Sequence, residues 1–269
     1  MKIFLNKEKL VKLIKSEKNL GFVPTMGAIH KGHISLIKKS LTKSNKTLVS
    51  IFVNKPQFNQ NTDYKKYPRN LKRDISILKK LKIDYLYLPN NRQIYPNGVN
   101  KSLKISSFEK ELCGKFRPGH FKAVVDVIDR FIKIIKPKKI YLGEKDMQQL
   151  LIIQHFLKKR KIKTKVMPCK TIRDSNGLAL SSRNFLLGSK DKIIASKIYQ
   201  LIFKNKKKII SKKITLNQIK KKIINYGIKK IDYLELLNIN KVVKSLYKKN
   251  SNKIFIAYYI KSVRLIDNI

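Results

Sequence analysis

The stretch LGFVPTMGAIHKGHISLIKKSL, residues 20–41, decides how the first half of this chain is read. Its opening, LGFVPT, is apolar and reads as a strand. Its close, HISLIKKSL, carries apolar residues at helical spacing. Between them lie Gly27, Gly32 and two of the chain's four histidines, His30 and His33. Strand, glycine-bearing turn and helix in that order are the first half of a βαβ unit.

Outward from this stretch the alternation continues. TLVSIFVN (47–54) is a near-continuous apolar strand of the kind buried on both faces. NLKRDISILKKL (70–81) is amphipathic helix, and DYLYLP (84–89) is strand again. FKAVVDVIDRFIKIIK (121–136) is a long helix that stops before Pro137. KKIYLG (138–143) is a strand leading into the helix KDMQQLLIIQHFLKKR (145–160), and IKTKVMPCK (162–170) is a further strand. Such alternation implies right-handed crossovers and an α/β fold: a Rossmann-like parallel sheet with helices on both faces.

The pattern changes near residue 172. RDSNGLALSSRN (173–184) reads as loop, with a turn at Asn176–Gly177. Two lysine-rich helices follow, over 189–208 and 215–228. IDYLELLN (231–238), KIFIAYYI (253–260) and VRLIDN (263–268) then read as strands of a small mixed sheet. The expected organisation is a first domain over 1–171 and a smaller C-terminal α+β lid domain over 172–269.

The chain's 269 residues carry a formal charge of +47, yet 42% are hydrophobic, so it is no disordered polyelectrolyte. Of 63 basic residues only 9 are arginine, and lysine is spread from end to end. A dedicated nucleic-acid surface clusters its charge and uses arginine and aromatics. The expectation is a solvated lysine surface with weak, non-specific attraction to polyanions, and no specific nucleic-acid partner. Two cysteines, Cys113 and Cys169, cannot build a disulfide framework, and no apolar run suggests a signal peptide or membrane span. Both points favour a cytoplasmic protein.

In an open α/β sheet ligands bind at the carboxyl ends of strands. Four polar stretches fall there: TMGAIHKGH (25–33), NKPQF (54–58), GEKDMQQ (143–149) and RDSNGLALSSRN. His30 and His33 admit three readings. Zinc needs three or four ligands, and His120, His155 and the cysteines lie far off without ligand spacing. A packed or capping pair is the second reading. The third fits the glycines best: the backbone at Gly27 and Gly32 approaches an anion, with helix amides beginning near His33 and imidazole N–H groups donating to phosphate.

Further stretches join this turn: VSIFVNKPQF (49–58), YPRNLKRD (67–74), IYPNG (94–98), RPGHF (117–121), LGEKDMQQL (142–150), GLALSSRN (177–184) and RLIDN (264–268). Together, and in this order, they resemble the pantoate–β-alanine ligase family of the HxGH nucleotidylyltransferase superfamily. The resemblance implies ATP-dependent condensation of pantoate with β-alanine through pantoyl adenylate, in a cytoplasmic homodimer. It implies an ATP site at Met26, Gly27, Ala28, Ile29, His30, Lys31, Gly32, His33, Gly143, Glu144, Lys145, Asp146, Ile172, Leu180, Ser181, Ser182 and Arg183. It marks His33 as the catalytic histidine.

It also places Gln57 and Gln149 at pantoate, with Gln57 beside β-alanine. The residue chemistry agrees, since an ionised carboxylate nucleophile needs no base. It needs alignment and neutralisation of the departing pyrophosphate. His30, His33, Lys145 and Arg183 are donors for that, and Ser181 and Ser182 add hydroxyls. Mg2+ is implied by the charge of free ATP, with its ligands unassigned.

His120 is a candidate support for the pocket, and His155 and both cysteines read as structural. Asp146 would orient Lys145 or meet ribose, and Asn54 would either bind substrate or simply turn the chain. Two positions depart from the family pattern: Lys55 separates Asn54 from Pro56, and Ala123 stands where glycine is usual. Two other functions stay open: nucleotidyl transfer to a phosphate, which the two glutamines disfavour, and nucleic-acid binding, which leaves the four loops unexplained.

Overall fold

Six strands form one parallel sheet: β1 (Lys2–Phe4), β2 (Leu20–Thr25), β3 (Lys46–Ile51), β4 (Tyr85–Tyr87), β5 (Lys139–Gly143) and β6 (Lys165–Cys169). Their order is β1-β4-β3-β2-β5-β6. The chain therefore runs outward from β2 through β3 to β4, then crosses to β5 and β6 on the other side. The switch in direction falls between β2 and β5, where open α/β sheets leave a crevice. This computed structural model describes residues 1–242 and 252–269. Two compact units make up the chain: residues 1–144 with 148–170, and residues 145–147 with 171–269.

Alternation along the strands covers both faces of the sheet. On β2, Phe22 meets Phe131 of the helix His120–Ile135, with ring centroids 5.4 Å apart. The next residue, Val23, points the other way, into a cluster with Ile37 of the helix Lys31–Lys43 and Leu78 of the helix Leu71–Lys80. Tyr87 of β4 joins the Phe131 face, and its neighbour Leu86 the opposite one. Strands buried on both faces explain the continuous apolar runs.

In the second unit β7 (Lys230–Asn238), β8 (Asn252–Ile260) and β9 (Val263–Asn268) pair antiparallel throughout. The mixed sheet expected from the sequence is thus corrected. Only Lys261 and Ser262 join β8 to β9, and a two-residue link can only return the chain antiparallel. The helices Ser189–Ile210 and Leu216–Asn225 bury Ile198, Ile202, Ile209, Ile219 and Ile223 against Ile254 and Ile256 of β8. Lys204, Lys207, Lys208, Lys220, Lys221 and Lys222 on these helices are exposed. No described helix is long and apolar enough to cross a membrane.

Candidate active site

The turn after β2 is built on a buried acid. Asp74, 1% exposed, accepts from the amides of Ala28 (2.8 Å) and Ile29 (2.8 Å). Thr25 Oγ1 takes the amide of Gly27 at 3.2 Å and donates to the Ser50 carbonyl at 2.8 Å. Gly27 and Ala28 both have positive φ, +80° and +50°. A Cβ on Gly27 would stand 3.0 Å from Asp74 Oδ2, so glycine lets the carboxylate reach the turn. The helix begins at Lys31, two residues before the sequence suggested, with His30 as its N-cap. His30 Nδ1 accepts from the Gly32 amide at 3.1 Å, which places the ring proton on Nε2. Its ring lies against His33, centroids 4.1 Å apart.

The amides of Gly27, Ala28, Ile29 and Gly32 are therefore all used inside the protein. The imidazoles of His30 and His33 stand on the same turn, at the start of the helix. Ala28 and Ile29 have buried side chains, and the Ile29 carbonyl accepts from Arg73 Nη1 at 3.2 Å. Lys31 is exposed, and Met26 is half-buried.

After β3, Asn54 (1% exposed) precedes a 3-10 turn, Lys55–Gln57, with Pro56 inside it. Asn54 Nδ2 donates to Gln57 Oε1 at 3.1 Å and to the Ala123 carbonyl at 3.3 Å, and Tyr95 Oη donates to Asn54 Oδ1 at 2.7 Å. The Gln57 carbonyl accepts from His120 Nδ1 (2.8 Å) and Arg117 Nη2 (3.1 Å), while Arg117 Nη1 meets His120 Nε2 at 3.0 Å. These contacts require a neutral His120 with its proton on Nδ1. Gln149 is half-buried on the helix Met147–Lys159. Its neighbour Gln148 is structural, accepting from the Cys113 amide and donating to the Phe108 and Glu111 carbonyls.

In the second unit, Lys145 and Asp146 sit together, Nζ to Oδ1 3.6 Å, with the Lys145 side chain 17% exposed. Asn268 Nδ2 donates to the Lys145 carbonyl at 2.9 Å, tying this segment to β9. The loop after β6 is clamped by Arg173, whose two Nη atoms meet the Asp267 carboxylate at 2.6 and 2.9 Å and whose guanidinium lies 4.1 Å from the Tyr199 ring centroid. Asp174 Oδ1 takes the Asn176 and Leu178 amides, and Gly177 turns at φ +93° against Tyr199. The Ile172 carbonyl accepts from the Leu180 amide at 2.9 Å. Ser181 Oγ caps the short helix Ser182–Leu186 by accepting from the Arg183 amide at 3.2 Å. Ser182 is buried.

Each unit thus gathers its own share of the expected residues. The first carries the histidine turn, the Gln57 turn, Gln149 and the strand end at Gly143 and Glu144; the second carries Lys145, Asp146, Ile172 and residues 180–183. Sequence reasoning missed Asp74, Tyr95 and Arg173 as the residues that hold these turns. Asp74 had a signal, since it lies four residues before Leu78 on the buried face of its helix. Both cysteines are buried, and burial pushes the Cys169 thiol up to about 11, against the pull of Lys39.

The comparisons with known proteins agree along the whole length. The model of the pantoate–β-alanine ligase family matches residues 2–269. A pantothenate synthetase from Francisella tularensis subsp. novicida is 43% identical over 264 residues, 95% of this chain and 90% of the relative. One from a Sulfurihydrogenibium species is 38% identical over 265 residues, 97% and 95% of the two chains. The crystal structure of the Francisella tularensis pantoate–β-alanine ligase, complexed with β-γ ATP and β-alanine, matches at 40% identity with a TM-score of 0.86, covering 100% of this chain and 97% of that one. The Thermus thermophilus pantothenate synthetase matches at 28% identity with a TM-score of 0.89, covering 100% and 99%. With its motifs in order and relatives matched nearly end to end, this chain belongs to the pantoate–β-alanine ligase family.

Proposed function

We propose that this chain joins pantoate to β-alanine using ATP and releases pantothenate, AMP and pyrophosphate. The pantoate carboxylate attacks the α-phosphorus of ATP, and the bond to pyrophosphate breaks. The β-alanine amine then attacks the acyl carbon of pantoyl adenylate, loses a proton, and AMP leaves.

The observation that carries this reading is the imidazole pair on the turn after β2, beside the sheet's switch point. With its proton on Nε2, His30 is a neutral donor suited to a phosphate oxygen as charge builds there. In this reading His33 is the catalytic histidine, and Lys145, Arg183, Ser181 and Ser182 share the neutralisation of pyrophosphate. Gln57 and Gln149 hold pantoate. The second unit acts as a lid that shields the adenylate from water.

Mg2+ would enter with ATP and neutralise its phosphates. Among the described residues no group of three or more His, Cys, Asp or Glu could hold a metal ion. That fits Mg2+, which is usually held by substrate phosphates, waters and one or two carboxylates. Asp146, its side chain 46% exposed and 3.6 Å from Lys145 Nζ, would be one carboxylate for it. A cytoplasmic homodimer without a specific nucleic-acid partner completes the proposal.

The test is exchange of labelled pyrophosphate into ATP without β-alanine. Exchange that depends on pantoate is expected. Exchange that ignores pantoate but follows a phosphorylated co-substrate would assign the chain to nucleotidyl transfer instead.

A further inference from the structure

The amide of Gln57 is held in one orientation by a chain of contacts that begins at the buried Tyr95. The Ala123 carbonyl can only accept, so the Asn54 atom facing it at 3.3 Å is the nitrogen. The other Asn54 atom, facing Tyr95 Oη at 2.7 Å, is then the oxygen, and the phenol must donate to it. Burial pushes the Tyr95 phenol above its ordinary range, so it keeps the proton it donates. Asn54 Nδ2 has a second hydrogen, and the Gln57 atom 3.1 Å away must accept it. That atom is Oε1. Nε2, with its two hydrogens, is left on the opposite side of the amide, and no described residue takes them.

Tyr95 is itself fixed on several sides. It is 6% exposed, and the Arg130 guanidinium lies 4.6 Å from its ring centroid. Arg130 also donates to the Ile94 carbonyl at 2.9 Å and the Gly98 carbonyl at 2.8 Å, on either side of the ring in sequence. Its Nε is held by Asp126 at 2.7 Å, and Asp126 takes the Asn100 amide at 2.9 Å. So IYPNG and the helix His120–Ile135 form one brace with the phenol at its end.

We infer that Tyr95 is a positioning residue for the ligase reaction: through Asn54 it sets the Gln57 amide so that its Nε2 donors face the substrate. This rests on the reading that Gln57 contacts pantoate. Without the phenol, Asn54 Oδ1 loses its donor and the Asn54 amide is held only by its longer contact to the Ala123 carbonyl, 3.3 Å, so the orientation of the Gln57 amide is set less strictly. A substrate carboxylate needs the donor.

Kinetics of Tyr95→Phe, Gln57→Ala and the double variant test this in the full chain. Tyr95→Phe should raise the pantoate KM about tenfold, the order set by one well-placed hydrogen bond. The ATP KM should stay within about twofold, and in the Gln57→Ala background Tyr95→Phe should add almost nothing. Equal effects in both backgrounds, or parallel losses in ATP KM, kcat and Tm, would overturn the inference and leave a packing role. If Gln57→Ala itself leaves the pantoate KM unchanged, the Gln57 reading fails and the inference fails with it. If Gln57→Ala raises that KM and Tyr95→Phe does not, the inference alone is wrong. Should Tyr95→Phe not fold, side-chain amide NMR of the wild-type protein decides, with Gln57 assigned by its loss in Gln57→Ala. A rigid amide is expected, and an order parameter below about 0.6 overturns the brace.

Discussion

The turn after β2 and the loop after β6 carry most of the groups assigned to ATP, and different physics holds them. In the first, a buried carboxylate from the helix Leu71–Lys80 accepts two adjacent amides, so the geometry is set atom by atom within the first unit. In the second, the Arg173 fork grips Asp267 of β9, so the loop depends on the last strand of the chain being in place. The histidine turn is held by contacts inside its own unit. The Ser181–Arg183 loop is conditional on the second unit's folding.

Removing each anchor probes this difference. Arg173→Ala should have the largest effect on stability, because the Asp267 side chain, 11% exposed, is left without its cation. Loss of one partner of a buried pair costs about 3–5 kcal/mol. Denaturant unfolding should show that loss, and a change below about 1 kcal/mol would mean the clamp is not what holds the loop. Asp74→Asn should do less, since it sets an NH2 group against one amide and keeps the other bond. About 1–3 kcal/mol is expected. Hydrogen exchange should place that damage at residues 27–33, and deprotection spread into 173–184 would contradict the separation.

The smallest effect concerns Cys169, the last residue of β6. Its thiol is pushed up to about 11, so at pH 8 only about one part in a thousand is thiolate. Alkylation of the native protein should be slow, and Arg173→Ala should leave it slow if the disturbance stays in the loop. Rapid labelling would show that it enters the sheet.

Much of this was legible in the sequence, for reasons that also mark the limits. Strands buried on both faces leave apolar runs, helices leave a 3.6-residue rhythm, and the polar stretches after β2, β3, β5 and β6 stand out between them. β1 left no such trace, being three residues long and defined by its pairing with β4. The histidines and Lys145 stood out as candidate phosphate donors by their chemistry, and the two glutamines only through the motifs that carry them. What holds them was not, since Asp74 acts on a turn 45 residues away in sequence and Tyr95 on Asn54, 41 residues away. Contacts at that separation have no period to read.

The central claim is that the histidine turn and Lys145 act when charge moves onto pyrophosphate. Rapid-quench measurement of the two half-reactions in His33→Ala and Lys145→Ala tests it most directly. Formation of pantoyl adenylate should slow by about 10²–10³, the usual loss for one well-placed donor. Attack of β-alanine on preformed adenylate should slow far less, because pyrophosphate has already left. Equal slowing of both steps, together with a lower Tm, would contradict the account and return the histidines to a structural role.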